Sequence, residues 1–333
     1  MLTPPSFSNL YSRVPMETPT HHAPPLFVVG CGRSGTTVLR LMLNAHPDLA
    51  IPPEAQFIER LAARRDRYVA ADGGFTADAF LADLLADRRF KEWGVAAADV
   101  RERIPASGAT FAGIITAAFE SYAAAHGKLR WGDKTPDHVR YMSLLGGLWP
   151  EGKFVHLIRD GRDVAGSLAH TPFGPKTVLD QARYWAKRVR AGRSAGAALG
   201  PSRYLEVRYE SLVGDLEAEL RRICSFADLA FDPAMLRHHE RSVGAIPPSE
   251  IGHQAGALEP LRPGIRDWRI DMPARDVAVF GSAEGRLLDE LGYPHGGGFV
   301  AAAWATARFA DVREAVDLRR RVRQALGRTK APS

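Results

Sequence analysis

Residues 26–47 read LFVVGCGRSGTTVLRLMLNAHP, and the fold class turns on this stretch. Leu26, Phe27, Val28 and Val29 form an unbroken apolar run, the pattern of a strand buried on both faces. Gly30, Gly32 and Gly35 make the next segment a glycine-rich loop, and from Val38 the apolar spacing becomes helical. In α/β proteins this order of strand, loop and helix N-terminus holds phosphate. Backbone N–H groups converge on the anion, and the helix dipole adds positive potential. Glycine lets the main chain approach closely and take positive φ. The residues by themselves also admit a plain strand–helix turn without a ligand.

The loop departs from a Walker A sequence at one chemically decisive place. Gly30 and Gly35 have the GxxxxGK[ST] spacing, but Thr36 stands where lysine would reach a triphosphate, and Thr37 follows. Arg33 is the single cation of the loop. Such a loop suits a smaller 5′ anion, held by backbone, hydroxyls and one guanidinium.

Around this loop lies a chain of 333 residues with 45% hydrophobic content, enough for one large domain or one domain with inserts. The formal net charge of +6 suits anionic ligands, but dispersed basic charge does not imply nucleic acid, and no nucleic-acid partner is expected. Cys31 and Cys224 are the only cysteines, so no disulfide framework is required and a cytoplasmic location is expected. Residues 1–25 read as a disordered, Pro/Ser/Thr-containing lead-in without the apolar core of a secretory signal. No run of about 18 apolar residues could span a membrane. Residues 296–333 read as a helical basic tail. Its thin apolar face favours a solvated or packing helix over a membrane-surface or nucleic-acid element.

Strands alternating with helices predict an α/β architecture, a central parallel sheet flanked by helices. A helical stretch opens at Glu54 and runs through Ala62. Helices over about 77–89, 96–103 and 110–125 form a helical insertion at 76–127, a sensible place for acceptor recognition. Short strands are expected at 128–131, 154–158 and 204–207. Helices are expected over 137–148, from Asp163, and over 178–199, 212–226, 233–242 and 276–291, with a loop across 242–263.

A second basic site sits at the end of the strand Phe154–Ile158, which delivers Arg159 to the C-terminal edge of the sheet, where α/β ligands bind. Ser167 follows in the next helix. Arginine and a hydroxyl can clamp a second phosphate, because the guanidinium offers a fork of charge-assisted donors. Two alternatives stay open here: a structural salt bridge for Arg159, and Asp160 as a displaced Mg²⁺ ligand.

Two anion sites of this kind describe a nucleotide phosphorylated at both its 5′ and 3′ positions. With RSGTT at 33–37 and FVHLIRDGRDVAGSL at 154–168, the chain resembles the sulfotransferases that use 3′-phosphoadenosine 5′-phosphosulfate (PAPS), closest to their bacterial and tyrosylprotein-type branch. The resemblance covers most of Leu26–Pro294 and implies a P-loop-containing nucleotide-binding fold over 26–295, with PAPS as co-substrate and no metal. It implies that Arg33, Ser34, Gly35, Thr36 and Thr37 hold the 5′-phosphosulfate. Arg159 and Ser167 would hold the 3′-phosphate, Tyr209 would lie against the nucleotide, and Arg262 and Gly264 would belong to a loop closing on it. Glu54, soon after His46-Pro47, matches the catalytic base, and Lys134 matches the lysine that meets the bridging oxygen of the leaving group. The implied reaction moves a sulfuryl group to an acceptor hydroxyl of a small molecule, sugar or peptide tyrosine.

Bland roles compete with each assignment: a helix cap or surface acid for Glu54, an ion pair of Lys134 with Asp133 or Asp137, and a core tyrosine for Tyr209. The chain also departs from the family pattern. Pro263 replaces a lysine, Thr171 replaces a basic residue, and Gly252 or His253 stands near the place of a serine that assists the leaving group, with Ser249 a loose substitute. Two other functions stay open, a P-loop small-molecule kinase and a non-catalytic nucleotide-binding protein. His46, His156 and Cys31 read as structural.

Overall fold

The computed structural model describes residues 23–104, 109–172, 174–241, 246–260 and 267–294. Five strands, β1 (Leu26–Gly30), β2 (Leu49–Ala50), β3 (Arg130–Lys134), β4 (Lys153–Ile158) and β5 (Tyr204–Arg208), form one sheet in the order β2-β3-β1-β4-β5. Every pairing is parallel. The apolar run of β1 divides its side chains between two cores. Phe27 and Val29 join one hydrophobic cluster, Leu26 and Val28 the other, as the two-residue period of a strand requires. On the first face Phe27 stacks on Phe154 with centroids 4.9 Å apart and meets Trp131 edge-on at 6.0 Å. Pairs of this kind add about 0.5–1.5 kcal/mol each beyond area burial.

The helices follow as α1 (Thr36–Asn44), α2 (Phe57–Ala62), α3 (Ala77–Ala86), α4 (Arg88–Lys91), α5 (Ala97–Arg103), α6 (Phe111–Ala125) and α7 (Met142–Leu148). After them come α8 (Gly161–Ala169), α9 (Val178–Leu199), α10 (Tyr209–Gly214), α11 (Leu216–Phe226), α12 (Pro248–Gln254), α13 (Trp268–Asp271) and α14 (Ala274–Glu290). Helices α3 to α6 lie within residues 76–127. No helix among the described residues is long and apolar enough to cross a membrane.

Several boundaries move, each for a local reason. β3 continues through Lys134 instead of stopping at Trp131, because its residues keep pairing with β1 up to Val28 opposite Lys134. The stretch 137–148 splits into a 3₁₀ turn, Pro136–Arg140, and α7, with Tyr141 non-helical at the joint. The stretch 212–226 splits at Asp215, whose carboxylate caps α11 by accepting from Ala218 N. Asp87 divides the 77–89 stretch in the same way, accepting from Arg89 N. Leu49–Ala50, outside the strands expected from the sequence, is an edge strand beside β3. The stretch 242–263 holds α12 and a 3₁₀ turn, Ala255–Leu258, where a loop was expected.

The chain divides into two compact units, Met1–Arg159 with Lys187–Pro263, and Asp160–Ala186 with Gly264–Ser333. The sheet lies in the first. In the second, Asp160 caps α8 and takes an ion pair from Arg162, whose guanidinium covers the Trp268 ring at 3.6 Å. A Cβ at Gly161 would come within 2.5 Å of Trp185 and Phe280, which explains glycine there.

His156 lies mid-strand in β4, fully buried, with Nδ1 2.7 Å from Tyr204 Oη. Burial, then the charges of Arg208 and Arg193, push its pKa down to about 3, so the ring is neutral and structural. Gly192 of α9 leaves room for it: a Cβ there would overlap the His156 ring and stand 2.6 Å from Val139 Cγ2. Gly192→Ala is therefore expected to cost about 1–3 kcal/mol of stability through overpacking. Urea melts of the two proteins measure this, and an unchanged midpoint would contradict the contact.

Candidate functional site

Parallel strands bring their C-terminal ends to one edge, and the sequence-predicted residues of the first unit gather there. Gly30 ends β1 opposite Leu157, Lys134 ends β3, Arg159 follows β4 and Tyr209 follows β5. β1 sits between β3 and β4, so the loop after it occupies the reversal of strand order, where such sheets bind ligands.

The loop has the backbone of an anion cradle. Gly35 caps α1 at φ 95°, and Arg33 also lies in the left-handed region at φ 75°. A non-glycine residue held there is a local strain of the kind found at ligand clamps. Gly30 leaves no room for a side chain: its Cβ would stand 2.5 Å from Leu157 O. The first-turn N–H groups of α1 have no intrahelical acceptor and face the loop. Ser34 Oγ is fully buried without a hydrogen-bond partner, a donor left for a bound anion. Cys31 is buried beneath, and burial pushes its thiol pKa up to about 12, which suits a filler and not a nucleophile.

Tyr209 joins this loop to Arg159. A Cβ at Gly35 would come to 2.6 Å from the Tyr209 ring, and the Arg159 guanidinium lies 4.4 Å from the same ring's centroid. The ring is thus no remote core tyrosine; it lies between the two basic elements. Asp160 has both carboxylate oxygens bound to Arg162, Oδ1 to its N and Nε and Oδ2 to Nη2, so it is committed to the start of α8. Ser167 is buried on α8 in the second unit. Arg262 and Gly264 lie outside the described residues.

Glu54 and Lys134 form an ion pair, Nζ donating to Oε1 at 2.7 Å, across 80 positions of sequence. Lys134 Nζ is also 3.4 Å from Thr37 Oγ1, which places the pair at the start of α1. Lys134 therefore pairs with Glu54 rather than with Asp133 or Asp137. Glu54 precedes α2, whose first turn begins at Phe57, so it caps no helix. Its segment is tied from several sides. Trp93 Nε1 donates to Pro53 O at 3.0 Å, Ala55 N to Thr135 Oγ1 at 2.8 Å, and Ile51 N to Asn44 Oδ1 at 2.9 Å. Burial works against the Glu54 carboxylate. The charge and hydrogen bond of Lys134 outweigh it, with Arg89 and a hydrogen bond from Gln56 adding to the effect, and its pKa is held below the ordinary carboxylate range. Arg89 is itself held by Glu92 and Glu250, from α12.

Sequence reading missed Arg89, Gln56 and the residues behind Lys134. Asp133 and His138, both buried, are hydrogen-bonded at 2.7 Å, and the other ring nitrogen of His138 reaches Glu59 at 2.9 Å. Burial would lower the His138 pKa, but the Asp133 carboxylate and then Glu59 push it up to about 10. The only signal available was that His138 stands three residues after Thr135 in DKTPDH.

Residues 24–233 match the family described as the sulfotransferase family. Protein-tyrosine sulfotransferase A of Caenorhabditis elegans is 28% identical over 233 residues, covering 67% of this chain and 54% of that protein. Nodulation protein NoeE of Sinorhizobium fredii is 30% identical over 228 residues, covering 62% and 50%. The chain thus spans about half the length of these relatives. The sulfotransferase domain from the Synechococcus PCC 7002 olefin synthase has a similar fold, with a TM-score of 0.57, 24% identity, and coverage of 84% of this chain and 98% of that one.

The charged His138 gives the fold a pH dependence of known sign. A raised pKa means its contribution is complete below about pH 6.5 and lost as the pH rises through about 10. The stability advantage of the natural protein over His138→Asn, read from urea melts, is expected to shrink across that window. An advantage that grows with pH would show the ring to be neutral.

Proposed function

The chain belongs to the sulfotransferase family, and from that premise we propose that it transfers a sulfuryl group from PAPS to an acceptor hydroxyl. The observation that carries this reading is the Glu54–Lys134 pair at the start of α1, beside a loop and an arginine that share the Tyr209 ring. The residues fit the donor. The cradle offers backbone N–H groups, the unpartnered Ser34 hydroxyl and Arg33 for the 5′ end. Arg159, with Ser167 as the assigned hydroxyl, serves the 3′-phosphate, and the Tyr209 ring offers an apolar face to the base.

When bound, the donor supplies an electrophilic sulfur and a bisphosphate leaving group. Glu54 is ionised at neutral pH and takes the proton of the acceptor hydroxyl as its oxygen attacks sulfur. Lys134 then turns its ammonium from Glu54 to the bridging oxygen, where negative charge grows as the S–O bond breaks. A cation there favours the transition state over the ground state. Lys134 is almost fully buried, so water screens it little and its charge acts at nearly full strength. Arg262 and Gly264, outside the described residues, are assigned to the 3′-phosphate on the family resemblance. The free, buried state of both cysteines supports placing the protein in the cytoplasm.

Thermal shift with adenosine 3′,5′-bisphosphate (PAP) against ATP with Mg²⁺ tests the donor. Stabilisation by PAP alone is expected, whereas stabilisation by ATP with Mg²⁺ alone would make the protein a kinase. Arg159→Ala is expected to weaken PAP binding about ten- to a hundred-fold, the worth of a hydrogen bond to a charged group. Equal affinity by calorimetry would remove Arg159 from the site. Glu54→Ala is expected to keep PAP binding and lose about 10²–10⁴-fold in turnover, followed by mass spectrometry of sulfated products from PAPS and a panel of phenols, sugars and tyrosine peptides. Undiminished turnover in that variant would dismiss Glu54 as the base.

A further inference from the structure

We infer that His138 is a positioning residue that sets the Glu54 carboxylate against Lys134, acting through Asp133, Thr135 and Glu59. The inference deepens the sulfuryl-transfer reading and rests on it for its catalytic meaning. Two ties run from the end of β3 to the segment that carries Glu54, and they converge on one buried carboxylate. Asp133 Oδ1 accepts from Thr135 Oγ1 at 2.9 Å, and Thr135 Oγ1 in turn accepts from Ala55 N at 2.8 Å. Asp133 Oδ2 accepts from His138 Nδ1 at 2.7 Å, and His138 Nε2 donates to Glu59 Oε2 at 2.9 Å on α2. Lys134 lies between Asp133 and Thr135 in the chain, and Glu54 lies next to Ala55. The ties therefore anchor both chain segments that carry the ion pair.

The chemistry of the ring explains why histidine stands there. Asp133 is fully buried and Glu59 half-buried, and a carboxylate taken out of water needs a donor. A ring carrying both N–H protons satisfies the two at once, at a fixed separation set by its rigid geometry. The rigid ring fixes Asp133 and Glu59 relative to each other, so besides its stability contribution the triad sets geometry. A base a fraction of an ångström out of place loses contact with the proton it must take.

The test needs neither donor nor acceptor. Melting temperatures of the full chain are compared for the natural protein, Glu54→Gln, His138→Asn and the double variant. Glu54→Gln removes the ion pair. Its drop in melting temperature is expected to be at least halved in the His138→Asn background, because the pair is already misaligned. Equal drops in both backgrounds, the additivity of independent sites, would overturn the inference. Thr135→Val cuts the Ala55 tie and the hydrogen bond to Asp133 without removing a charged side chain, and is expected to show the same coupling, so the test survives if His138→Asn does not fold. A ¹³C-carboxyl titration of Glu54 gives a local reading: its midpoint is expected to rise toward the ordinary value of about 4.3 in Thr135→Val. An unmoved midpoint would leave the network a merely structural one. PAP binding by the natural protein separates the two claims. Coupling without PAP binding would sink the transfer reading and keep the network, and PAP binding with additive losses would do the reverse.

Discussion

The double-sided burial of β1 is the constraint on which the rest of the structure depends. Its side chains alternate between two apolar clusters, so a slip of one residue against either neighbour would exchange the two faces. That fixes Val28 opposite Lys134 and Gly30 opposite Leu157. Strand ends, glycine loop, lysine and arginine then stand at one edge because the register permits no other arrangement. The site is assembled by the core beneath it.

At that edge the electrostatics favour an anion. The turn after β1 leaves the buried Ser34 hydroxyl without a partner, and the Arg159 guanidinium lies over the Tyr209 ring. Aromatic stacking holds a guanidinium while keeping its charge available. Among the described residues Glu54 is the one carboxylate hydrogen-bonded to the edge lysine, and Lys134 and Arg89 favour its ionised form. An ionised carboxylate beside a buried ammonium, both close to the glycine-rich loop, is the arrangement on which the proposed proton removal rests.

How much of this was legible in the residues depended on the range of the information. The strand–loop–helix of 26–47 reads directly, because an apolar run, glycine spacing and helical periodicity are local. The strand carrying Arg159 reads for the same reason. β3 was read too short, since Gly132, Asp133 and Lys134 carry no strand pattern of their own and are held extended by pairing with β1. The helix expected from Glu54 starts only at Phe57, because Pro53 and the ties at Ala55 and Pro53 hold the preceding segment out of the helix. The boundaries that split at Asp87, Tyr141 and Asp215 are capping choices that a periodic pattern does not reveal.

The sequence by itself determined the chemistry on offer: a glycine-rich loop without a Walker lysine, an arginine at a strand end, a glutamate after His46-Pro47, and the DKTP lysine. Each is fixed by a residue type and its near neighbours. Tertiary structure alone decided which of these meet. Glu54 and Lys134 are 80 residues apart, Arg89 and Glu250 are 161 apart, and His138 reaches Glu59 across 79. Those encounters follow from strand order and from side chains packing through a shared core, and no local period encodes them.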